Sequence, residues 1–318
     1  MNNRFDHPES VYHATEIRVD PGPPRMFASP ETSTWAVMLG SGKPEPTLYR
    51  NGPGGAVIAN DTPYLIDAGE GIWRGIAKAA TAHNGKLIEA LAPNKLTRLF
   101  LTHLHSDHTV GLPSLLLLPW TCGKTKPLEI YGPKGTKNLV EKLLEAYVSD
   151  IDERVYGPEQ KDNTGWRAIV HEILEPGPVY FDENLTVEAF HHAHGGFKQN
   201  FGYRFTTSDR TIVWAGDGVA SASYLEAARN ADVLFSDISP AIDKLGDTPW
   251  RASNKELSKM FHIQSQQLAE IAVQANVKVL ALHHEQNYSE PYDLEALVKE
   301  VKQIYAGTVI SARDGDVF

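Results

Sequence analysis

The chain has 318 residues, a formal net charge of −10 and 42% hydrophobic residues. This composition is typical of a soluble globular protein with enough apolar material for one large domain or two ordinary ones. The acidic balance argues against a protein that grips nucleic acid mainly through a phosphate-neutralising surface. The single cysteine, Cys122, excludes intrachain disulfides and thiolate metal clusters. No apolar run approaches the roughly 18 residues of a membrane span, so we expect no membrane partner.

The first 33 residues are polar and rich in proline. We therefore expect an extended N-terminal arm over 1–33, followed by a single domain over 34–318. The start, MNNRFDHPES, lacks the basic and then apolar pattern of a signal peptide. A cytoplasmic protein follows most simply, although a secreted or periplasmic protein that has lost its signal peptide would look the same.

The first half of the domain alternates short apolar runs with helical patterns. The stretches TWAVMLG and GGAVIANDTPYLI predict strands, and GIWRGIAKAATAHNGKLIEAL predicts a helix that Gly85 interrupts. A strand, LTRLFLTH, follows, and then a helix that begins at the proline of PSLLLLPW. PLEIYGP predicts another strand. Apolar residues at 139, 143, 144, 147 and 151 predict one amphipathic helix.

The second half repeats this style. LTVEAFHHAHG, FGYRFTT, TIVWAGDG and DVLFSDIS predict strands, with a helix at SYLEAARNA. SQQLAEIAVQANVKVLALHH predicts a helix and a strand, and DLEALVKEVKQIYAG predicts a helix before a final strand. Because no linker separates the halves, the pattern predicts one layered α/β domain.

Metal-capable side chains are concentrated at predicted strand ends. The stretch FLTHLHSDHTVGL places three histidines and an aspartate within six positions. Three other strands also end at a histidine or an aspartate, namely at His194, Asp217 and His283. The carboxyl ends of strands are where α/β folds place their sites, and imidazole and carboxylate are preferred ligands of zinc and similar ions. A chance scatter of histidines would not coincide with strand ends four times, so the pattern predicts a metal site.

These motifs resemble those of the metallo-β-lactamase fold hydrolases, in particular the ribonuclease Z-like branch, which also includes arylsulfatase-type and phosphodiesterase-type enzymes. The resemblance covers roughly residues 35 to 315 and rests on LGSGKP, YLIDAGEG, THLHSDHTVGL, IYGPKG, VEAFHHAHG followed by FGYRF, WAGDG and VKVLALHH. It implies an α/β fold, a four-layer αβ/βα sandwich, with two divalent metal ions at the upper edge of facing sheets. Zinc is the first expectation, with manganese or iron as alternatives.

The resemblance also implies a set of ligands for the two ions. They are His103, His105 and His194 for the first ion, Asp107, His108 and His283 for the second, and Asp217 as a bridge between the ions. Such a site lowers the pKa of a shared water, and the resulting hydroxide is the nucleophile. Asp67 in LIDAGEG corresponds to an aspartate that supports the histidine loop in related enzymes, so we expect it to orient ligands rather than to bind metal.

Two of these ligands compete with neighbouring histidines. His191 and His192 precede His194, and alternation along the strand favours His194. His284 follows His283, and the predicted strand end favours His283. Asp107 is also predicted to be a catalytic residue.

The chain departs from ribonuclease Z at two places. Ser236 and Asp237 stand where that branch carries a His-Glu pair, and no counterpart of its glycine- and proline-rich tRNA-clamping arm is evident. His262, just before a helix, matches a histidine that the branch keeps near its active site. We therefore predict that His262 and Asp237 assist protonation of the leaving group. The departures and the acidic charge led us to expect a small-molecule substrate, with nucleic acid disfavoured.

Several readings of function and of individual residues stay open. The leading one is a dinuclear metal hydrolase of a small ester, with a phosphodiester or aryl sulfate favoured. The alternatives are a lactonase or β-lactam-type acyl hydrolase, a tRNA 3′-processing endonuclease, and a non-catalytic metal-binding scaffold. Tyr203 and Arg204 are expected to be structural, with Arg204 in a salt bridge, and a homodimer is left open. Three tryptophans could line a pocket or belong to the core: Trp73, Trp120 and Trp250.

Overall fold

The computed structural model describes residues 20–29, 31–45, 47–241, 259–286 and 295–318. Most of the predicted arm, including residues 1–19, lies outside these residues, as does Trp250. The described part of the arm meets the C-terminus, where Arg25 forms an ion pair with the buried Asp316 at 2.5 Å. Among the described residues, no helix has the length and apolar character needed to cross a membrane.

Two sheets face each other. The first contains six strands in sequential order: β1 (Thr34–Gly40), β2 (Gly54–Ala59), β3 (Thr62–Ile66), β4 (Arg98–Phe100), β5 (Leu128–Pro133) and β6 (Ala168–Ile173). The second contains seven in the order β13 to β7: β7 (Gly177–Phe181), β8 (Leu185–His191), β9 (Phe201–Thr207), β10 (Thr211–Trp214), β11 (Val233–Ile238), β12 (Val279–Glu285) and β13 (Thr308–Ser311). Both sheets mix parallel and antiparallel pairs.

Helices cover the outer faces. Their bounds are α1 (Ile72–Thr81), α2 (Ser106–Thr109), α3 (Leu112–Thr121), α4 (Thr136–Ala146), α5 (Val148–Tyr156), α6 (Ala222–Ala228), α7 (Ser265–Gln274) and α8 (Ala296–Val301), with short 3₁₀ turns at His83–Gly85 and Pro93–Lys95. The predicted helix over 139–151 is divided at Tyr147, which separates α4 from α5. The sequence analysis did not predict β6 and β7.

Three hydrophobic clusters lie between the four layers. Aromatic rings fill the space between the sheets, where Phe100 packs edge-on against Tyr203 and Phe205 at 5.5 Å. A leucine-rich cluster joins the first sheet to α1 and α3, and a third cluster joins the second sheet to α6 and α7. The predicted four-layer αβ/βα sandwich is confirmed.

Candidate metal centre

Three histidines from both sheets form a first cluster at the carboxyl edge of the strands. His103 and His105 follow β4, and His194 follows β8. The Nδ1 atom of His105 lies 2.9 Å from Nε2 of His103 and 3.1 Å from Nε2 of His194. Burial lowers the pKa of all three imidazoles, so they are neutral near pH 7 and keep lone pairs for a ligand.

Two hydrogen bonds orient the rings of this cluster. The carbonyl oxygen of Phe261 can only accept, so Nδ1 of His194 donates to it at 2.6 Å and its Nε2 is left with a lone pair. Thr102 Oγ1 lies 3.0 Å from Nδ1 of His103. Neutral imidazoles held in this way are suited to metal binding.

A second cluster contains Asp107 and His108 on α2, Asp217 after β10, and His284 on β12. Nε2 of His108 lies 3.5 Å from Oδ2 of Asp107 and 3.4 Å from Oδ2 of Asp217. Nε2 of His284 lies 3.0 Å and 3.3 Å from the same two oxygens. In each cluster, the candidate ligand atoms lie within 4.8 Å of one another.

Asp67 supports the histidine loop from beneath. Its backbone φ is 55°, a left-handed conformation that only a few non-glycine residues adopt. Oδ2 accepts a hydrogen bond from His108 Nδ1 at 2.9 Å, and Oδ1 accepts one from the Thr102 amide at 2.8 Å. Asp67 is fully buried and does not belong to either cluster. This position agrees with the predicted orienting role.

The structure corrects the choice between His283 and His284. His283 points into the core, where its ring packs 5.1 Å from that of Trp214 and neither ring nitrogen has a hydrogen-bond partner. Burial lowers the pKa of His283 to about 3. Between the pairs Ser236–Leu282 and Ile238–Glu285, β12 has one residue more than β11, and His284 in this bulge has a φ of 48°. This bulge turns His284 towards the site, so the prediction of His283 as a ligand is wrong.

Asp237 and His262 form a pair beside the second cluster. Nδ1 of His262 lies 2.8 Å from Oδ2 of Asp237, within hydrogen-bond distance, and 4.0 Å from Oδ2 of Asp217. Burial and the nearby Asp217 raise the pKa of Asp237 well above its usual range. The Asp237 side chain is fully buried, whereas that of His262 is 13% exposed. The histidine is therefore the member of the pair that reaches the site surface, and the aspartate lies behind it.

The donor set fits divalent cations. His108 donates through Nδ1 to Asp67, and its Nε2 faces the carboxylates of Asp107 and Asp217 without a hydrogen bond, so these two buried carboxylates need a positive charge beside them. Asp217 and Asp67 raise the pKa of His108 well above its usual range, although its burial acts in the opposite direction. The Nδ1 atom of His105 can carry one proton at most, yet it faces two imidazole nitrogens. A cation in each cluster satisfies both conditions.

Asn200 and Phe197 are site residues that the sequence analysis missed. Asn200 is fully buried and donates through Nδ2 to the Asp217 carbonyl at 2.8 Å, which positions the loop that carries Asp217. The Phe197 ring packs against the rings of His105 and His103 at 4.6 and 5.5 Å. An isolated Asn or Phe in a loop carries no sequence signal for such a position.

Other residues singled out from the sequence lie away from both clusters. Trp120 is buried among leucines, and Trp73 packs on the same cluster. Cys122 is exposed at the end of α3. Tyr203 is buried and donates to the Leu101 carbonyl at 2.6 Å, while Arg204 donates to the carbonyls of Ala227 and Arg229. Both residues therefore have structural contacts, but among the described residues Arg204 bonds backbone carbonyls and does not form the predicted salt bridge.

The chain is similar to several known proteins. The Beta-lactamase superfamily domain matches residues 62–284. Ribonuclease Z from Mycobacterium sp. (strain KMS) is 33% identical over 252 residues, which cover 78% of this chain and 82% of that protein. Human tRNase Z, short form, aligns with a TM-score of 0.63 at 22% identity over 89% of this chain and 98% of that one. The metallo-β-lactamase fold protein YhfI from Bacillus subtilis aligns with a TM-score of 0.66 at 20% identity over 90% and 100%.

The chain belongs to the metallo-β-lactamase fold hydrolases, in their ribonuclease Z-like branch. The similarity also overturns one expectation. We expected a small-molecule partner and disfavoured nucleic acid, but the relatives are named for RNA substrates. The net charge of the chain was a poor guide to its substrate. Charges more than about 8–10 Å apart are largely screened from one another at physiological salt, so a substrate responds to the charges of the surface that it contacts.

Proposed function

We propose that the protein is a metal-dependent endoribonuclease that hydrolyses a phosphodiester bond near the 3′ end of precursor tRNA. The observation that carries the proposal is the presence of both His/Asp clusters in a chain that is 33% identical to a ribonuclease Z over 252 residues. Members of the fold that only bind or scaffold usually lose ligands. Here both clusters keep their histidine or aspartate side chains, and the candidate ligand atoms of each cluster lie within 4.8 Å of one another.

We assign His103, His105 and His194 to one divalent ion. Asp107, His108 and His284 would hold the other, and Asp217, which lies in the second cluster, would serve as the shared carboxylate. Zinc is the first candidate because the donors are mostly imidazole, and manganese and iron are the alternatives. When bound, the ions lower the pKa of a water molecule and neutralise charge on the phosphate.

The residues around the ions would then divide the work of hydrolysis. The water oxygen attacks phosphorus, a new P–O bond forms, and the bond to the leaving oxygen breaks. That oxygen departs as an alkoxide of ribose and needs a proton. Asp237 contacts Nδ1 of His262 at 2.8 Å, and the His262 side chain is 13% exposed whereas that of Asp237 is buried, so the imidazole is the member of the pair that can reach the leaving oxygen. His262 is therefore the proposed proton donor, and Asp237 is a positioning residue.

The test uses purified protein with added zinc or manganese and a precursor tRNA transcript that carries a 3′ trailer. We expect one cut near the trailer junction and no cut in the same transcript without a trailer. Bis(p-nitrophenyl) phosphate serves as a small phosphodiester that reports the metal centre alone. Turnover of the small diester without any cleavage of the precursor would contradict the RNA assignment.

The His262 assignment is tested by leaving-group dependence. His262→Ala should slow precursor cleavage by roughly 10²–10⁴-fold, the usual contribution of a general acid. The loss on bis(p-nitrophenyl) phosphate should be much smaller, because p-nitrophenolate departs without a proton. His171→Ala is a matched control, since His171 lies on the exposed face of β6. Equal losses on both substrates would assign His262 to binding or loop structure instead.

A further inference from the structure

A cavity of about 520 Å³ adjoins the first histidine cluster. This volume is within the range of roughly 300–1,000 Å³ that is usual for ligand sites. Phe197 lines the cavity and also packs at 4.6 Å against His105, so its ring separates the cavity from the metal ligands. A group that enters the cavity therefore lies one aromatic ring away from the metal centre.

The walls of the cavity come from three segments that Gln199 holds together. Its Oε1 accepts from the backbone amide of Lys134, just after β5, at 3.1 Å. Its Nε2 donates to the carbonyl of Leu174, in the connection from β6 to β7, at 3.0 Å. Gln199 itself follows β8, in the loop that carries His194. The cavity is thus built from both sheets at the edge where the metal ligands lie.

The charged groups at the cavity are mainly basic. Lys134 and Lys198 line it and are exposed, and neither ammonium group has an ion-pair partner among the described residues. Glu175 is the one acidic side chain in the lining. This concentration of positive charge contrasts with the net charge of −10 of the whole chain. An aromatic ring beside two cations is the arrangement that binds single-stranded nucleic acid, by base stacking and phosphate contact.

We propose that this cavity binds an unpaired nucleotide that flanks the scissile phosphodiester. Its base stacks on Phe197, and the next phosphate of the strand contacts Lys134 and Lys198. The proposal rests on the RNA-cleaving function above and deepens it, because it names the substrate feature that is read beside the metal centre. Stacking on an aromatic ring is tolerant of sequence, so this subsite selects an unpaired strand rather than a particular base.

Binding is measured first, by fluorescence anisotropy of a labelled single-stranded RNA octamer (oligouridylate) on the metal-loaded protein. Phe197→Ala should weaken binding by roughly 5- to 150-fold, the range for loss of one base–aromatic stack. Phe197→Tyr, which keeps a ring, should bind like the unaltered protein. The Lys134→Gln/Lys198→Gln double variant should bind more weakly, and the slope of log affinity against log salt should shrink by about 0.7, because the one phosphate that both lysines contact contributes about 0.7 on single strands.

Two further variants make the test specific. Lys126→Gln is the matched control, because Lys126 is an exposed lysine just before β5, at the end of the strand opposite Lys134. It should leave RNA binding and catalysis unchanged. Glu175→Gln should act in the opposite direction and tighten RNA binding, since it removes the one negative charge of the lining. Metal content is determined for every variant, so that a lost ion is not mistaken for lost stacking.

A second measurement locates the nucleotide in the substrate. Precursor tRNA is prepared with an abasic residue on either side of the cleaved bond. At one of the two positions the abasic residue should raise KM for the unaltered protein and leave KM for Phe197→Ala unchanged. The abasic residue and the Phe197→Ala substitution would each remove the same base–ring stack, so their effects should not add. For Phe197→Ala and for the Lys134→Gln/Lys198→Gln double variant, the loss on RNA should clearly exceed the loss on bis(p-nitrophenyl) phosphate.

The outcomes separate the two proposals. If the unaltered protein cleaves precursor tRNA but the cavity variants bind octamer and precursor as it does, the subsite is wrong and the RNA function stands. If the unaltered protein does not cleave precursor tRNA, the proposed function fails, while octamer binding still decides the subsite. Octamer binding that is insensitive to Phe197, Lys134 and Lys198 overturns the subsite in either case.

Discussion

His283 and His284 are adjacent on β12, yet their rings lie in different environments. His284 is 3.0 Å from Asp107, whereas His283 packs against Trp214. His284→Ala should therefore remove about one of the two proposed ions and most of the proposed activity. His283→Leu keeps an apolar side chain of similar size in the core, so it should retain both ions. Elemental analysis of the two purified proteins checks this, and loss of metal in His283→Leu alone would reverse the assignment.

Lys124 offers a second prediction at the scale of one residue. Its side chain is almost fully buried, its Nζ atom has no hydrogen-bond partner, and burial lowers the pKa of Lys124 to about 8. A buried unpaired ammonium costs stability, so Lys124→Met should raise the free energy of unfolding at pH 7 by about 1–3 kcal/mol. Denaturant unfolding at a fixed metal concentration measures this gain.

The gain from Lys124→Met should depend on pH. The folded protein binds fewer protons at Lys124 than the unfolded chain does between about pH 8 and pH 10.5. In that window the stability of the unaltered protein rises with pH, as its lysine loses the charge that burial penalises. The advantage of Lys124→Met is therefore full below pH 8 and disappears as the pH rises to about 10.5. An advantage that is independent of pH would show that packing, and not charge, is responsible.

At the scale of elements, Asp209 joins the two sheets. It lies in the turn between β9 and β10 and accepts hydrogen bonds from Thr34 Oγ1 at 2.6 Å, Thr207 Oγ1 at 2.9 Å and the Ser33 amide at 3.0 Å. Burial alone would raise the pKa of Asp209, but these hydrogen bonds outweigh it and hold the pKa well below its usual range. The segment before β1 is thereby tied to the hairpin of the opposite sheet.

Asp209→Asn should lower the free energy of unfolding at pH 7 by about 1 kcal/mol, a modest loss because the carboxylate is exposed and solvent screens it. Because the pKa of Asp209 is lower in the folded protein than in the unfolded chain, its carboxylate stabilises the folded protein at pH values above the unfolded-state pKa of about 4. This contribution is lost as the pH falls through the folded-state pKa. The difference between the two proteins should thus shrink below about pH 4. Glu183→Gln, at an exposed position in the neighbouring turn, is the control and should cost little at any pH.

For the whole molecule, the proposed ions would link the two sheets. The histidine and aspartate ligands after β4 belong to the first sheet, and those after β8 and β10 and on β12 belong to the second. An ion that binds only the folded state stabilises it, by about 2.7 kcal/mol when its free concentration is 100 times its dissociation constant. Chelation should lower Tm by roughly 5–10 °C, on the usual scaling for a chain of this size, and added zinc should restore it.

The Tm of His105→Ala should fall less on chelation, because this variant already binds one of the proposed ions more weakly. Differential scanning fluorimetry with and without chelator measures both shifts. Equal melting temperatures for the unaltered protein under the two conditions would contradict the presence of structural cross-links through metal.

Local patterns were sufficient for much of the architecture and for the composition of the site. The alternation of strands and helices predicted the layered fold, because hydrophobic periodicity is a property of consecutive residues. The cluster around His103 to His108 is also local, and its ligand types follow from side-chain chemistry. The strands β6 and β7 were missed because they lie at the sheet edges, where exposed residues interrupt the apolar alternation.

Only the tertiary structure decided the remaining points, since each depends on residues that are distant in the chain. The direction of His284 depends on a bulge opposite β11, and the role of Asp237 depends on its contact with His262 across 25 residues. The cavity beside Phe197 is built from three segments of two sheets. Composition determined the net charge of −10, but the tertiary structure decided where the positive charges lie. Their positions matter because the electric field near a site comes from the few charged groups within a screening length of it.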